Sequence, residues 1–122
     1  MIKFATMVNI ADNTGATSAK IIGTFGGTKK KIIRLADVVK VAVKSARPQG
    51  SVKKSEMYRA VVVRVKKEHR REDGTYIRFD DNAVVLIDDK REPRGTRVFG
   101  PLPREVKEKG FESIASMAEE LL

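Results

Sequence analysis

A chain of 122 residues, 41% apolar and 34% charged, has the length of one domain and buries about two-thirds of its unfolded surface, enough for a core without staples. Its lack of cysteine and its single histidine exclude a disulfide framework, cysteine-ligated zinc and multi-histidine metal sites. Its 25 basic residues against 16 acidic give a formal charge of +9; with no membrane-length apolar stretch and no signal-like start, a soluble cytosolic protein is expected.

Strand signals fill the first hundred residues. Phe4, Val8 and Ile10 share one parity against polar Lys3 and Asn9, and Asp12-Asn13-Thr14-Gly15 reads as a turn. A second strand runs over residues 18–25 around Ile21 and Ile22, ended by Gly26-Gly27. Val39, Val41 and Val43 alternate with Lys40, Ala42 and Lys44, one face for a core and one for water. Arg47-Pro48-Gln49-Gly50 closes that strand. Tyr58 to Lys66 is the strongest strand, and its unbroken apolar run from Ala60 to Val63 predicts burial on both faces. Asp73-Gly74 marks a hairpin whose two turn residues would take positive φ. Its ascending arm, Lys66-Lys67-Glu68-His69-Arg70-Arg71, is nearly all charge. An arm without an apolar face cannot lie on a core, so a projecting ribbon is predicted. Ala83 to Ile87 repeats the strand pattern.

The last twenty residues change character. Pro101 and Pro103 are expected to bar strand pairing; Pro103 suits the first turn of a short helix through Lys107, which Gly110 would end. Phe111, Ile114, Ala115, Ala118, Leu121 and Leu122 then trace one apolar helical stripe. That stripe is expected to pack on the chain's own barrel, because a small domain needs the area. The expected architecture is mainly β: a single domain over 1–122, with a small closed barrel and its ribbon over about 1–100 and a helical appendix over about 101–122.

Charge is distributed unevenly along this framework. Residues 29–71 carry 15 basic and 3 acidic side chains, whereas residues 72–122 carry 8 and 12. The basic block also contains Val38, Val39, Val41, Val43 and Val61 to Val63, so the charge is displayed on folded structure. A solvated face is the plain account of such runs, but an excess this large repels itself unless a polyanion neutralises it. The clusters are Lys29-Lys30-Lys31, Lys53-Lys54 and Arg64 through Arg71; Arg64 and Lys66 share parity, Lys67 lies opposite, and Arg78 follows the hairpin turn. Aromatic residues are few and mostly at core parity, with only Tyr76 beside the basic ribbon. That favours phosphate and shape recognition of structured RNA over base stacking, and no helix suits a DNA major groove.

Enzymatic readings find little support. No phosphate-loop motif follows Gly23, Gly26 and Gly27. Asp80-Asp81 and Asp88-Asp89 each put at most one carboxylate on a strand face, so polar strand ends account for them better than a metal. His69 has no neighbouring carboxylate but Glu68 and reads as an exposed or RNA-facing residue. Gly95-Thr96-Arg97-Val98-Phe99-Gly100-Pro101 reads equally well as a turn into a final strand and as a loop that meets a neighbouring protein. No cofactor, metal, DNA or membrane partner is expected. A free single-strand-binding barrel is the alternative to a protein of a structured-RNA assembly.

Three ordered motifs carry a resemblance. Ala11-Asp12-Asn13-Thr14-Gly15-Ala16 comes first. Ala60-Val61-Val62-Val63-Arg64 follows, with Asp73-Gly74, Ile77-Arg78-Phe79-Asp80, Asn82-Ala83 and Val85-Leu86. Gly95 through Pro101 with Arg104-Glu105 closes the series. In order and spacing they resemble the bacterial form of the large-subunit ribosomal protein fourteen family, over essentially the whole chain. The resemblance implies a five-stranded barrel related to the oligonucleotide-binding fold, a projecting ribbon and two short C-terminal helices. It implies binding to large-subunit ribosomal RNA at the surface facing the small subunit, and contact with small-subunit RNA in a bridge. Ribosomal proteins three and nineteen of the large subunit and a ribosome-silencing factor are the implied protein partners. By position, Lys44, Lys53, Lys54, Arg64, Lys66, Arg70, Arg71 and Arg78 would be RNA ligands, and the basic block adds Arg47 and Lys67 as candidates. Thr96 and Arg97, with adjacent Phe99, fall on the implied protein-docking side. Two positions depart from the family pattern: Ala36 stands where glycine is usual, and Ala118-Glu119 lacks a proline, which lets the last helix run longer.

Overall fold

Alternating apolar side chains build the barrel, and the computed structural model describes it through residues 6–24 and 33–122. Phe4, Gly26-Gly27 and the Lys29-Lys30-Lys31 cluster lie outside the described residues. The strands are β1 (Met7–Ile10), β2 (Ala16–Thr24), β3 (Val38–Ala46), β4 (Met57–Arg64), β5 (His69–Arg70), β6 (Tyr76–Ile77) and β7 (Ala83–Ile87). After them come β8 (Pro101–Leu102), α1 (Arg104–Glu108), α2 (Glu112–Ser116) and β9 (Glu120–Leu121). Five strands close a barrel in the order β1-β2-β3-β4-β7. Neighbours are antiparallel except at the closure, where β1 runs parallel to β7 with Asn9 opposite Ala83 and Ile10 opposite Val84.

The unbroken apolar run of β4 has two cores to serve. Ala60 and Val62 point into the barrel with Val8, Ile21, Val39, Val41, Val43, Val84 and Leu86. Val61 and Val63 point outward with Val85 and Ile87, under a cover of Val98, Leu102, Val106, Phe111 and Ile114. The strand is therefore buried on both faces, one inside the barrel and one beneath the helical appendix. Ala36 lines the outer core with φ of 64°, a left-handed conformation that an alanine side chain disfavours. Its N–H donates to the Val62 carbonyl at 2.7 Å, and its methyl is buried, so the turn keeps its shape without glycine.

The ribbon β5–β6 forms, with His69 opposite Ile77 and Arg70 opposite Tyr76. Its turn differs from the expected one, for Gly74 alone takes positive φ (87°) and Asp73 does not. The Asp73 carboxylate instead accepts from the Thr75 N–H at 3.0 Å and hydroxyl at 2.6 Å. The Gly74 N–H closes on the Arg71 carbonyl at 3.0 Å, and the Arg71 N–H on the Thr75 carbonyl at 2.8 Å. The result is a three-residue hairpin loop with glycine at the left-handed position.

The C-terminus corrects two expectations. The last helix ends at Ser116 instead of running longer, and the chain turns extended at β9. There it pairs in parallel with Pro101–Leu102, a pairing the two prolines were expected to bar. Proline lacks a donor but keeps its carbonyl, and the pairing uses the Leu102 carbonyl, which accepts from the Leu122 N–H at 2.7 Å. Phe111 and Ile114 of the apolar stripe are buried, while Leu121 and Leu122 are exposed. Among the described residues no helix is long and apolar enough to cross a membrane.

Candidate nucleic-acid interface

The candidate cations fall into two groups at opposite ends of β4. Lys44 projects from β3, and Arg47, Lys53 and Lys54 stand on the loop between β3 and β4; all four are exposed. Tight backbone contacts shape that loop. Gly15 and Gly50 pack so closely that a Cβ on Gly15 would lie 2.6 Å from the Gly50 Cα. The Arg47 N–H donates to the Gly15 carbonyl at 2.8 Å, and the Ser51 N–H to the Thr14 carbonyl at 2.9 Å. Lys66 and Lys67 leave the far end of β4, with Arg70 on β5 and Arg78 just beyond β6, and these four are exposed too. An eight-residue strand separates the groups by roughly 23 Å. One basic block in sequence thus becomes two basic regions in space.

The ribbon-base region gains a residue that was not among the candidates. Arg34 lines one shallow cleft with Leu35, Val65, Lys67, Glu68, His69 and Arg70. Its turn is held by the Asp37 carboxylate, which accepts from the Arg34 N–H at 2.8 Å. Arg34 belongs to the basic block but to none of its clusters, so only the fold brings it beside Lys67 and Arg70. Guanidinium groups there offer forked donors to phosphate oxygens, and the lysine adds a point charge.

Two arginines placed among the RNA candidates are engaged inside the protein. Arg64 is 9% exposed. Its Nε and Nη2 donate to the two carboxylate oxygens of Asp81 at 2.9 and 3.4 Å, and its Nη1 to the Phe99 and Pro101 carbonyls at 2.7 and 3.3 Å. Gly100, at φ 81°, lies against this guanidinium, and a Cβ there would stand 2.6 Å from Nη1. Burial raises the Asp81 carboxyl, but the bonds from Arg64 and Asn9 outweigh it and hold the group below its ordinary range. Arg71 is likewise enclosed. Its Nε and Nη2 grip both oxygens of Glu105 at 3.2 and 2.9 Å, and Nη2 also donates to the Leu122 carbonyl at 2.7 Å. His69, read as exposed or RNA-facing, has its Nε2 3.3 Å from Glu105 Oε2. Its partner carboxylate comes from α1, far along the chain, where local inspection could not find it.

The glycine-bearing loop at 95–101 leads into β8 and is shaped by Asn13. The Asn13 carbonyl oxygen accepts from the Thr96 and Arg97 N–H groups at 2.9 and 3.1 Å, and its amide donates to the Thr96 hydroxyl at 2.9 Å. Thr96, Arg97 and Phe99 remain exposed, with the Arg97 guanidinium 5.9 Å from the Phe99 ring centre. The neighbouring Asp12 is buried. Its carboxylate accepts from the Thr14 N–H and hydroxyl and from the Leu86 N–H at 3.0 Å, yet burial still pushes its pKa up. Asp88 caps the turn after β7 by accepting from the Lys90 and Glu92 N–H groups, which hold its carboxyl low. No group of three or more metal-ligating side chains occurs among the described residues.

The order of motifs, the closed barrel and its exposed cations agree with one further finding. The family model for ribosomal protein L14p/L23e matches residues 1–122, the full length of the chain. The chain therefore belongs to that family, a structural, non-enzymatic family of the large ribosomal subunit.

Proposed function

We propose that the protein binds large-subunit ribosomal RNA through its two exposed basic regions, Lys44, Arg47, Lys53 and Lys54 on one side and Arg34, Lys66, Lys67, Arg70 and Arg78 on the other. The observation that carries this reading is that these cations stand exposed in two groups at the two ends of barrel strand β4. Each phosphate they neutralise releases counterions, so affinity falls steeply with salt. Two separated regions suit folded RNA, whose strands can approach both ends of β4, better than one short single strand.

By the family resemblance, the protein lies at the subunit interface and contributes to a bridge with small-subunit RNA. Ribosomal proteins three and nineteen are its neighbours, and Thr96, Arg97 and Phe99 form the docking side for protein partners, a ribosome-silencing factor among them. Sedimentation of the endogenous protein after a high-salt wash, with subunits separated at low magnesium, tests the placement. Near-stoichiometric recovery with the large subunit is expected. Release to the top of the gradient would favour a free RNA-binding barrel, which also predicts tight binding of unstructured oligonucleotides and quenching of Tyr76.

A further inference from the structure

The ribbon that carries Arg70 is too small to hold its own shape. Each strand contributes two paired residues, and an isolated two-stranded hairpin is at best marginal in water. Arg70 and its partner Tyr76 are both exposed, so that pair has no core beneath it. Within the ribbon, Ile77 is partly buried against the barrel interior. The side-chain fastening of the ribbon to the helical appendix centres on one acidic residue.

Glu105 sits on α1 with its side chain 13% exposed, and both of its oxygens face the ribbon. Arg71 grips them in a fork, and His69 approaches Oε2 at 3.3 Å. These are the residues on either side of Arg70. Successive side chains of a strand point to opposite faces, so fastening positions 69 and 71 to α1 fixes the direction of the exposed Arg70 between them, which borders both the ribbon–helix cleft and the cleft lined by Arg34. The helix is a firm support, because Val106, next to Glu105, is fully buried in the outer core. Arg71 also holds the Leu122 carbonyl, tying the last residue into the same joint. The cleft between ribbon and helix sets Glu72, Asp73 and Glu108 against Arg70 and Arg104, so its cations are already matched by acids, which suits an internal clamp better than a seat for phosphate.

We infer that Glu105 is a positioning residue for RNA binding: an acid that strengthens the grip on a polyanion by holding Arg70 and the ribbon in their binding pose. The inference rests on the proposed RNA-binding role of the ribbon. Its sign runs against simple electrostatics. Removing an acid raises the net charge and releases Arg71, so charge alone predicts tighter RNA binding by Glu105→Gln. A clamp predicts weaker binding, because the ordering of the ribbon then falls within the binding step.

The test uses the full chain and purified, protein-free large-subunit ribosomal RNA in filter binding across a salt series. Glu105→Gln is expected to weaken binding roughly three- to tenfold, the scale of ordering a few side chains on association. Arg71→Lys keeps the charge but loses the fork, and is expected to weaken binding in the same direction. In an Arg70→Ala background the Glu105→Gln effect should largely vanish, whereas a general loss of stability would persist there. Hydrogen exchange should show faster exchange at the ribbon amides with the barrel amides unchanged. Unchanged or tighter binding by Glu105→Gln, or an equal effect with and without Arg70, overturns the clamp. If Arg70→Ala alone leaves affinity and salt slope untouched, the RNA reading of the ribbon falls and the clamp falls with it. If Arg70→Ala weakens binding and Glu105→Gln does not, only the clamp is refuted.

Discussion

Replacing Arg64 with alanine should damage the fold and leave the RNA salt slope intact. The guanidinium satisfies the Phe99 carbonyl at 2.7 Å and the Pro101 carbonyl at 3.3 Å, and pairs with Asp81 through Nε at 2.9 Å. Losing the donor to the Phe99 carbonyl costs about 1–2 kcal/mol, since a hydrogen bond to a charged group contributes ~1.5–3 kcal/mol. The Asp81 side chain is 30% exposed and recovers water when its partner leaves, which keeps this cost below the ~3–5 kcal/mol of breaking a fully buried pair. The aliphatic stem of this buried side chain adds about 1 kcal/mol. Together these come to about 3 kcal/mol, or a fall in Tm of roughly 10–15 °C for a chain of this size. Urea and thermal melts followed by circular dichroism measure the first quantity. Titration of ribosomal RNA across salt, at a temperature where the variant stays folded, measures the second. A Tm within about 2 °C of the parent, together with a salt slope reduced by about one contact, would refute the internal role and return Arg64 to the RNA surface.

Four further outcomes follow from the same geometry. Lys53→Ala with Lys54→Ala should lower the salt slope by up to about two contacts and leave Tm unchanged, as read by the same titration and melts. Gly100→Ala meets both a φ of 81° and the Arg64 guanidinium at 2.6 Å, whereas Gly74→Ala meets a φ of 87° and open space; the first should cost clearly more in a urea melt than the second, for which about 1–2 kcal/mol is expected. Asp12 and Asp81 should give opposite pH dependences. Asp81 is held low in the fold, so its contribution is present above its unfolded pKa and is lost as pH falls through the folded value; the acid limb of a stability profile should flatten in Asp81→Asn. Asp12 is pushed up by burial, so its contribution is fullest below its unfolded pKa and is lost as pH rises through the folded value. Asp12→Asn should remove that loss yet set an amide donor against the Leu86 N–H, for a net cost of about 1–3 kcal/mol at neutral pH in urea melts.

What could be read from the sequence was what short-range pattern determines. The alternation in Val39, Val41 and Val43 specifies one wet and one dry face, and the unbroken run at Ala60 to Val63 specifies a strand with two dry ones. Helix punctuation worked where both signals were local, since Pro103 precedes α1 and Gly110 follows it. The apolar stripe beyond Phe111 was periodic and still misleading after Ser116. A third helical turn would compete with the Leu122 N–H bonding the Leu102 carbonyl and with Arg71 holding the Leu122 carbonyl. Both partners lie outside any window that periodicity can examine.

The same limit explains the divided fate of the arginines. Arg64, Arg70 and Arg71 stand within one basic run and share the same intrinsic chemistry, so composition treats them alike. What separates them is whether a carboxylate or carbonyl from a distant element reaches the guanidinium before water does. Asp81, the Phe99 carbonyl and Glu105 supply those partners, through the loop that Gly100 lets pass so closely and through the helix that Val106 anchors. Gly100 and Glu105, both within the motifs that carry the resemblance, thus have structural roles that charge counting misses. Glu105, which encloses Arg71, also bears on the neighbouring Arg70 through the clamp inferred above. On so small a barrel, the few carboxylates that reach Arg64 and Arg71 decide which arginines of the basic run stay exposed.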